Sequence, residues 1–246
     1  MEQNILLLVA VGFAAQLIDG ALGMAYGVSS TTFLLSIGIS PVAASASVHA
    51  AEIFTTGVSG LSHLRFGNVD RGLFRRLLIP GVIGGASGAY LLTSIPGQII
   101  KPFVSAYLLI MGFWILLRAF KEMRMTQAGR EVIPLALFGG FFDAIGGGGW
   151  GPIVTTTLVA RGVEPRLTIG SVNLAEFFVT VVESVVFVLT IGLSYWQIIA
   201  GLLIGGVLAA PLAAYVCKRI PARPLMILVG VLIIALSLRT MVQALS

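Results

Sequence analysis

Charge is scarce in this chain. Asp, Glu, Lys and Arg make up 10% of its 246 residues, against about 25% in soluble domains. A surface this poor in charge excludes a water-soluble globular protein, because most of it must face lipid. Cysteine is scarcer still. Cys217 stands alone, which excludes an internal disulfide and a Cys-based metal site. His49 and His63 are the only histidines, too few for a His-rich metal cluster, and no metal or other cofactor is expected. The chain has no G-x-x-x-x-G-K-[ST] run, so ATP is not its direct energy source. It also lacks a G-x-S-x-G elbow and holds Cys217 at a loop edge, which leaves little for an enzyme. The start, Met1-Glu2-Gln3-Asn4, has no basic n-region, so the first apolar run does not read as a cleaved signal peptide.

What the chain has in abundance is apolar sequence: 57% of residues are hydrophobic and the mean hydropathy is +1.02. Runs long enough to span a bilayer, about 20 residues each, lie at 42–64, 73–94, 98–118, 166–189, 195–217 and 224–244. Two further apolar stretches are interrupted. Residues 4–38 are broken at 20–27 and residues 132–161 at 146–152, both by glycine-rich tracts. A glycine costs a helix about 1 kcal/mol relative to alanine. Each stretch therefore predicts a helix, a break and a half-helix starting near Val28 or Pro152. They form either re-entrant hairpins or pairs of short tilted spans.

The two interrupted stretches are copies of one another. A shift of 124 residues lays 17–56 on 141–180 without a gap, with 14 of 40 positions identical. Asp19 meets Asp143, Gly23 meets Gly147, Gly27 meets Gly151, Pro41 meets Pro165 and Glu52 meets Glu176. Tyr26 aligns with Trp150 and His49 with Asn173. A one-residue adjustment then aligns Gly67 with Gly192 and Ile95-Pro96 with Ile220-Pro221. Shared apolar composition would scatter Leu and Ala matches; it would not align acids, prolines and glycines together.

The net charge of +5 does not point to nucleic acid, because the basic residues sit in short clusters between apolar runs. Loops 63–76, 118–131, 160–166 and 217–223 hold 13 of the 15 Lys and Arg residues. The positive-inside rule places these four loops in the cytoplasm. Each of the three that has a repeat mate aligns with a loop carrying no charge or one Lys: 63–76 with 189–197, 217–223 with 94–101, and 160–166 with 36–41. Repeat and charge together predict an all-α membrane protein of two inverted-topology repeats. Each repeat is a broken or re-entrant helix hairpin plus three transmembrane helices. Repeat 1 covers 1–120, a basic cytoplasmic linker 121–131, and repeat 2 covers 132–246, with both termini outside.

The run Asp143-Ala-Ile-Gly-Gly-Gly-Gly-Trp-Gly-Pro152, a Thr/Leu run after it and Gly162-Val-Glu-Pro165 resemble the sulfite exporter TauE/SafE family of membrane transporters. The first-half copy, Asp19-Gly-Ala-Leu-Gly-Met-Ala-Tyr-Gly27, is looser, without consecutive glycines or a proline matching Pro152. The resemblance implies a bacterial inner-membrane transporter of sulfite or an organosulfonate such as sulfoacetate, often working outward. Homodimers are common among such proteins, and the sequence carries no signature that selects one.

The residues point to the two breaks as the functional site. Broken helices at membrane depth are tolerated where they are buried or line a cavity. A half-helix N-terminus offers free N–H groups and partial positive charge to an anion. The candidate binding residues are Gly23, Tyr26, Gly27, Ser29 and Ser30 in one half, with His49 beside them. In the other half they are Gly147, Gly148, Trp150, Gly151, Thr155 and Asn173. Tyr26 and Trp150 either wall a cavity or pack. His49 is either a ligand contact or a satisfied buried polar residue. The glycines at 81–88 and 201–206 read as helix-packing faces.

Ionisable groups at membrane depth are expensive and usually functional. Glu52 and Glu176 lie near the midplane, and Asp19 and Asp143 precede the breaks. Carboxylates repel an anion, so these acids either carry protons or brace the breaks by accepting backbone N–H bonds. Glu183 shares the face of Glu176 but has no acidic repeat partner. The leading expectation is a secondary transporter working by alternating access. The alternatives are an anion channel, whose half-helix ends would look similar, and an importer of another small organic anion.

Overall fold

The computed structural model describes residues 4–22, 24–120, 131–192, 195–219 and 222–245. Their regular structure is entirely helical. In chain order the helices are α1 (Ile5–Leu22), α2 (Tyr26–Ser36), α3 (Pro41–Arg65), α4 (Arg71–Ser94), α5 (Gly97–Arg118) and α6 (Val132–Gly146). A π-helical turn (Gly151–Thr155) leads into α7 (Thr156–Ala160), followed by α8 (Pro165–Ile191), α9 (Trp196–Arg219) and α10 (Ala222–Leu245). Most of the expected linker, 121–130, lies outside the described residues.

Helix starts follow local chemistry. Ser40 caps α3 by accepting from the N–H of Ala43 at 3.3 Å, with Pro41 in the first turn. Glu164 caps α8 in the matching place, accepting from Leu167 N–H at 2.8 Å ahead of Pro165. Proline is favoured there because the first turn has no use for its missing N–H. Asp70 accepts from Gly72 and Leu73 at 2.7 and 3.1 Å to start α4.

Among the described residues four helices are long and apolar enough to cross a membrane: Arg71–Ser94, Gly97–Arg118, Arg166–Ile191 and Met226–Gln243. Shorter apolar stretches occupy Ile5–Asp19, Val132–Gly146 and Trp196–Ala209. α3 has 25 residues, long enough to span, but is too polar to join those four. Its buried face carries Ser45, Ser47, His49, Glu52 and Thr56, while Phe54, Val58, Leu61 and Leu64 are exposed on its other face. Other helices add exposed apolar side chains such as Leu6, Ile79, Phe103, Phe138, Leu189 and Val242 to the lipid-facing surface.

The breaks are tighter than the sequence suggests. α1 continues to Leu22, through residues assigned to the break, and α2 begins at Tyr26, before Val28. The second half resumes at Trp150 and Gly151, before Pro152. Flanking helix and side-chain caps offset the glycine penalty, so only the residues that must turn are left non-helical.

Helices pack in a regular pattern. α1 lies on α9 and α6 on α4, while α3 faces α8 and α5 faces α10. The first two crossings are made by small residues. A Cβ on Gly12 would sit 2.7 Å from Leu202 Cα, and one on Gly205 would sit 2.6 Å from Phe13 N. On the other side a Cβ on Gly140 would sit 2.9 Å from Gly85 N, and one on Gly84 would sit 3.0 Å from Phe141 N. Lipid supplies no hydrophobic drive between helices, so such close backbone approach is what holds them together.

Candidate functional site

Both breaks are braced by an aspartate that accepts from the backbone seven residues on. Asp19 Oδ1 accepts from Tyr26 N–H at 3.3 Å. Asp143 Oδ1 accepts from Trp150 N–H at 2.8 Å and from Gly149 N–H at 2.6 Å. Further bonds match between the halves. Thr32 donates to Val28 O at 2.6 Å, and Thr156 donates to Pro152 O. The aligned aromatics Tyr26 and Trp150 differ in their acceptors: Tyr26 Oη donates to Leu202 O at 3.3 Å, and Trp150 Nε1 donates to Val172 O at 3.2 Å. The asymmetry lies in the turn itself: Gly147 and Gly148 have φ of 64° and 147°, whereas the first half puts Ala25 at 93°.

The two breaks meet. Thr31 Oγ1 donates to Gly147 O at 2.7 Å, and Tyr107 Oη donates to Gly148 O at 3.2 Å. A Cβ on Gly27 would lie 2.6 Å from Gly148 Cα and 3.2 Å from Glu52 Oε1. Only glycine at both positions permits this approach.

Beside the junction is a cavity of about 320 Å³. Both breaks line it, through Asp19, Tyr26 and Gly27 on one side and Asp143, Gly148 and Gly151 on the other. It continues along α3 from Glu52 through Thr56 and Ser59 to the half-buried His63, with Asn173 and Glu176 of α8 opposite. Four carboxyl groups therefore share one cavity, and no Lys or Arg among the described residues lines it.

Sequence reasoning chose some residues that the cavity does not use. Ser29 and Ser30 are buried, with hydroxyls that lack a partner and lie off its wall. Thr155 is buried away from it, and Gly147 turns toward Thr31. Trp150 packs fully buried against Leu77, Val154 and Val179 instead of forming a wall. Gly23 lies outside the described residues. The reason is helical geometry: a half-helix presents only one face to the cavity, and sequence alone did not say which.

His49 is also off the cavity wall, in a second cluster behind it. His49 Nε2 lies 2.9 Å from Glu183 Oε2 and 3.5 Å from Asp143 Oδ2, with all three side chains buried. Nδ1 lies 2.8 Å from Ser45 O, and Ser45 Oγ donates to Ala144 O. The Phe187 ring is 6.1 Å from the imidazole. One ligating atom from each of the three residues lies within 4.8 Å of the others, and His49 Nε2 and Glu183 Oε2 are close enough for an ion pair without the alignment of a hydrogen bond. Glu183 was legible only as an unmatched acid on the face of Glu176. Tyr107, Thr56 and Ser59 carried no signal that would have separated them from ordinary helix residues.

Comparison with known proteins agrees with this architecture. The pattern of the family described as "Sulfite exporter TauE/SafE" matches residues 8–240. The chain is 42% identical over 243 residues to the "Probable membrane transporter protein YtnM" of Bacillus subtilis (strain 168), covering 95% of this chain and 81% of that protein. No solved structure matches the chain. The family is one of transporters and the relative is named a probable membrane transporter, in keeping with the four helices here that are long and apolar enough to cross a membrane and with a role in transport rather than catalysis. The chain belongs to the sulfite exporter TauE/SafE family.

Proposed function

We propose that the protein is a secondary transporter of a small sulfur-containing anion, sulfite or an organosulfonate such as sulfoacetate. It exports this anion across the bacterial inner membrane by alternating access. The observation that carries the reading is the cavity between the two breaks, about 320 Å³ in volume. That volume suits a small anion. The first turn of α2, at Gly27 and Val28, lines it, and first-turn N–H groups lack intrahelical acceptors and suit a negative ligand. With no Lys or Arg among its described lining, an anion is accommodated when Glu52 and Glu176 carry protons and donate hydrogen bonds.

The two halves act as inverted repeats, 1–120 and 132–246, joined by 121–131. Two features support this. The breaks make matching hydrogen bonds at positions 124 residues apart, such as Thr32 to Val28 and Thr156 to Pro152. Helix pairing is also self-consistent under the repeat: the α1–α9 pair maps onto α6–α4, while α3–α8 and α5–α10 map onto themselves. Rocking of one such unit against the other is the usual route to alternating access. The cavity runs toward His63, next to the basic loop 63–76. We place its mouth in the cytoplasm, which makes this the inward-facing state.

Thermal stability of the purified protein with sulfite, thiosulfate, sulfoacetate, taurine, sulfate, chloride and acetate tests the reading. A ligand that binds only the folded state raises the melting temperature. A rise with one sulfur oxyanion or sulfonate, altered in Glu52→Gln and Glu176→Gln, is expected. No rise with any of the sulfur anions would overturn the substrate class.

A further inference from the structure

Resting on the transporter reading, we propose that His49, Asp143 and Glu183 bind the coupling proton. It sits on Nε2 of His49, and Asp143 links its presence to anion binding in the cavity.

The tautomer argument comes first. Nδ1 of His49 is 2.8 Å from the carbonyl oxygen of Ser45. A carbonyl only accepts, so Nδ1 carries a hydrogen. Nε2 then faces Glu183 Oε2 at 2.9 Å and Asp143 Oδ2 at 3.5 Å. Without a proton its lone pair would point at two carboxyl oxygens inside a dry site. A proton on Nε2 turns both contacts into buried ion pairs. The charged and titratable groups around the imidazole are Asp143 of α6, Glu183 of α8 and, farther off, Glu52 of α3. Tyr107 of α5, Asp19 of α1 and Glu176 of α8 complete the surrounding set through Asp143 and Glu52. None of these groups is a cation among the described residues, so the proton is the positive charge this cluster needs.

The repeat supplies an independent argument. The shift of 124 residues carries His49 to Asn173, Asp143 to Asp19 and Glu183 to Ser59. Ser59 Oγ donates to Asn173 Oδ1 at 3.2 Å, so the matching positions also meet in space. That second set lines the cavity and has replaced the His–Glu pair by an uncharged Asn–Ser pair. The same pair of positions therefore meets twice, ionisable as His49 and Glu183 where it is buried and neutral as Asn173 and Ser59 where it lines the cavity. A packing role would not require that difference. A division of labour between proton site and substrate site does.

Asp143 joins the two. Its Oδ1 holds the N–H groups of Gly149 and Trp150, its Oδ2 faces His49, and it reaches the cavity wall. Loss of the proton leaves Asp143 and Glu183 without a counter-charge and turns a more negative wall toward the anion. Proton and anion therefore bind together, and net flux follows the sum of their gradients. Export then requires a cytoplasmic anion excess that outweighs an inward proton gradient.

Nitrogen NMR of histidine-labelled protein in nanodiscs reads the site without any substrate. Two histidines give two sets of signals; those lost in His49→Gln belong to His49, and His63→Gln leaves His49 alone should the first variant fail to fold. Both nitrogens of His49 are expected to carry hydrogen at neutral pH, with Nε2 losing it in Glu183→Gln. An unprotonated Nε2 in the wild type, or a stoichiometric metal ion found by elemental analysis, overturns the proposal. Sulfite flux in proteoliposomes then tests coupling. Glu183→Gln, reconstituted as folded protein, is expected to reduce the ratio of sulfite flux with and without a pH gradient about tenfold. Unchanged acceleration overturns the coupling role. Failure of the wild type to move any sulfur anion overturns the transport reading instead, and the proton site still stands or falls on the nitrogen signals.

Discussion

Ala25 holds a backbone conformation that suits glycine. Its φ is 93°, the only positive value at a described non-glycine residue, and it precedes α2 where Gly149 stands in the second half. A left-handed conformation costs an L-residue about 1–2 kcal/mol. Ala25→Gly should therefore raise stability by about 0.5–1 kcal/mol once the greater freedom of unfolded glycine is subtracted. A higher melting temperature would bear this out, and a fall would mean that the methyl group packs usefully against the cavity edge. Asp143 gives the opposite case. Asp143→Ala removes the acceptor for two buried N–H groups and should cost about 2–3 kcal/mol. Asp143→Asn keeps an acceptor oxygen and should lose less. Equal losses in urea or thermal unfolding would show that the bonds to the break contribute little.

At the level of helices, two crossings depend on backbone contact between small residues. Gly140→Val would push a side chain into the Gly81–Gly85 stretch of α4, and Gly205→Val would push one into α1 at Phe13. Overpacking costs about 1–3 kcal/mol or more, so both variants should lose folded protein on heating in detergent. Gly97→Ala is the control: its Cβ would meet nothing closer than Ser40 Cβ at 4.0 Å, and it should be near neutral. The glycine faces at 81–88 and 201–206 and the two breaks were legible in the sequence, because each depends on spacing within one segment, whereas Gly12 and Gly140 gave no such signal. The polarity of α3 was legible too, but its meaning was not. Whether a helix with His49 and Glu52 is shielded from lipid depends on neighbours far away in the chain.

The whole molecule is where the direction of the cavity matters. The proposed cytoplasmic mouth predicts that a cysteine at Ser59 in a Cys217→Ser background reacts with a membrane-impermeant thiol reagent applied to the cytoplasmic side. The substrate anion should slow that reaction. Labelling only from the opposite side would reverse the orientation, and labelling unaffected by any sulfur anion would separate this cavity from the transport path. The same background removes the chain's single native thiol, so the signal reports Ser59→Cys alone.

The sequence by itself determined the membrane character, the duplicated unit, the two breaks and the acids beside them. Those features follow from composition, run length and self-similarity, which need no partner in space. Tertiary structure decided which of those residues meet. It brought Thr31 to Gly147, 116 positions away, and turned Ser29 and Ser30 off the cavity. It also gathered His49, Asp143 and Glu183 from three helices into one dry cluster. Helix crossings set those meetings, and a crossing is chosen by how close two backbones can come. That property belongs to pairs of helices, and no single stretch of sequence contains it.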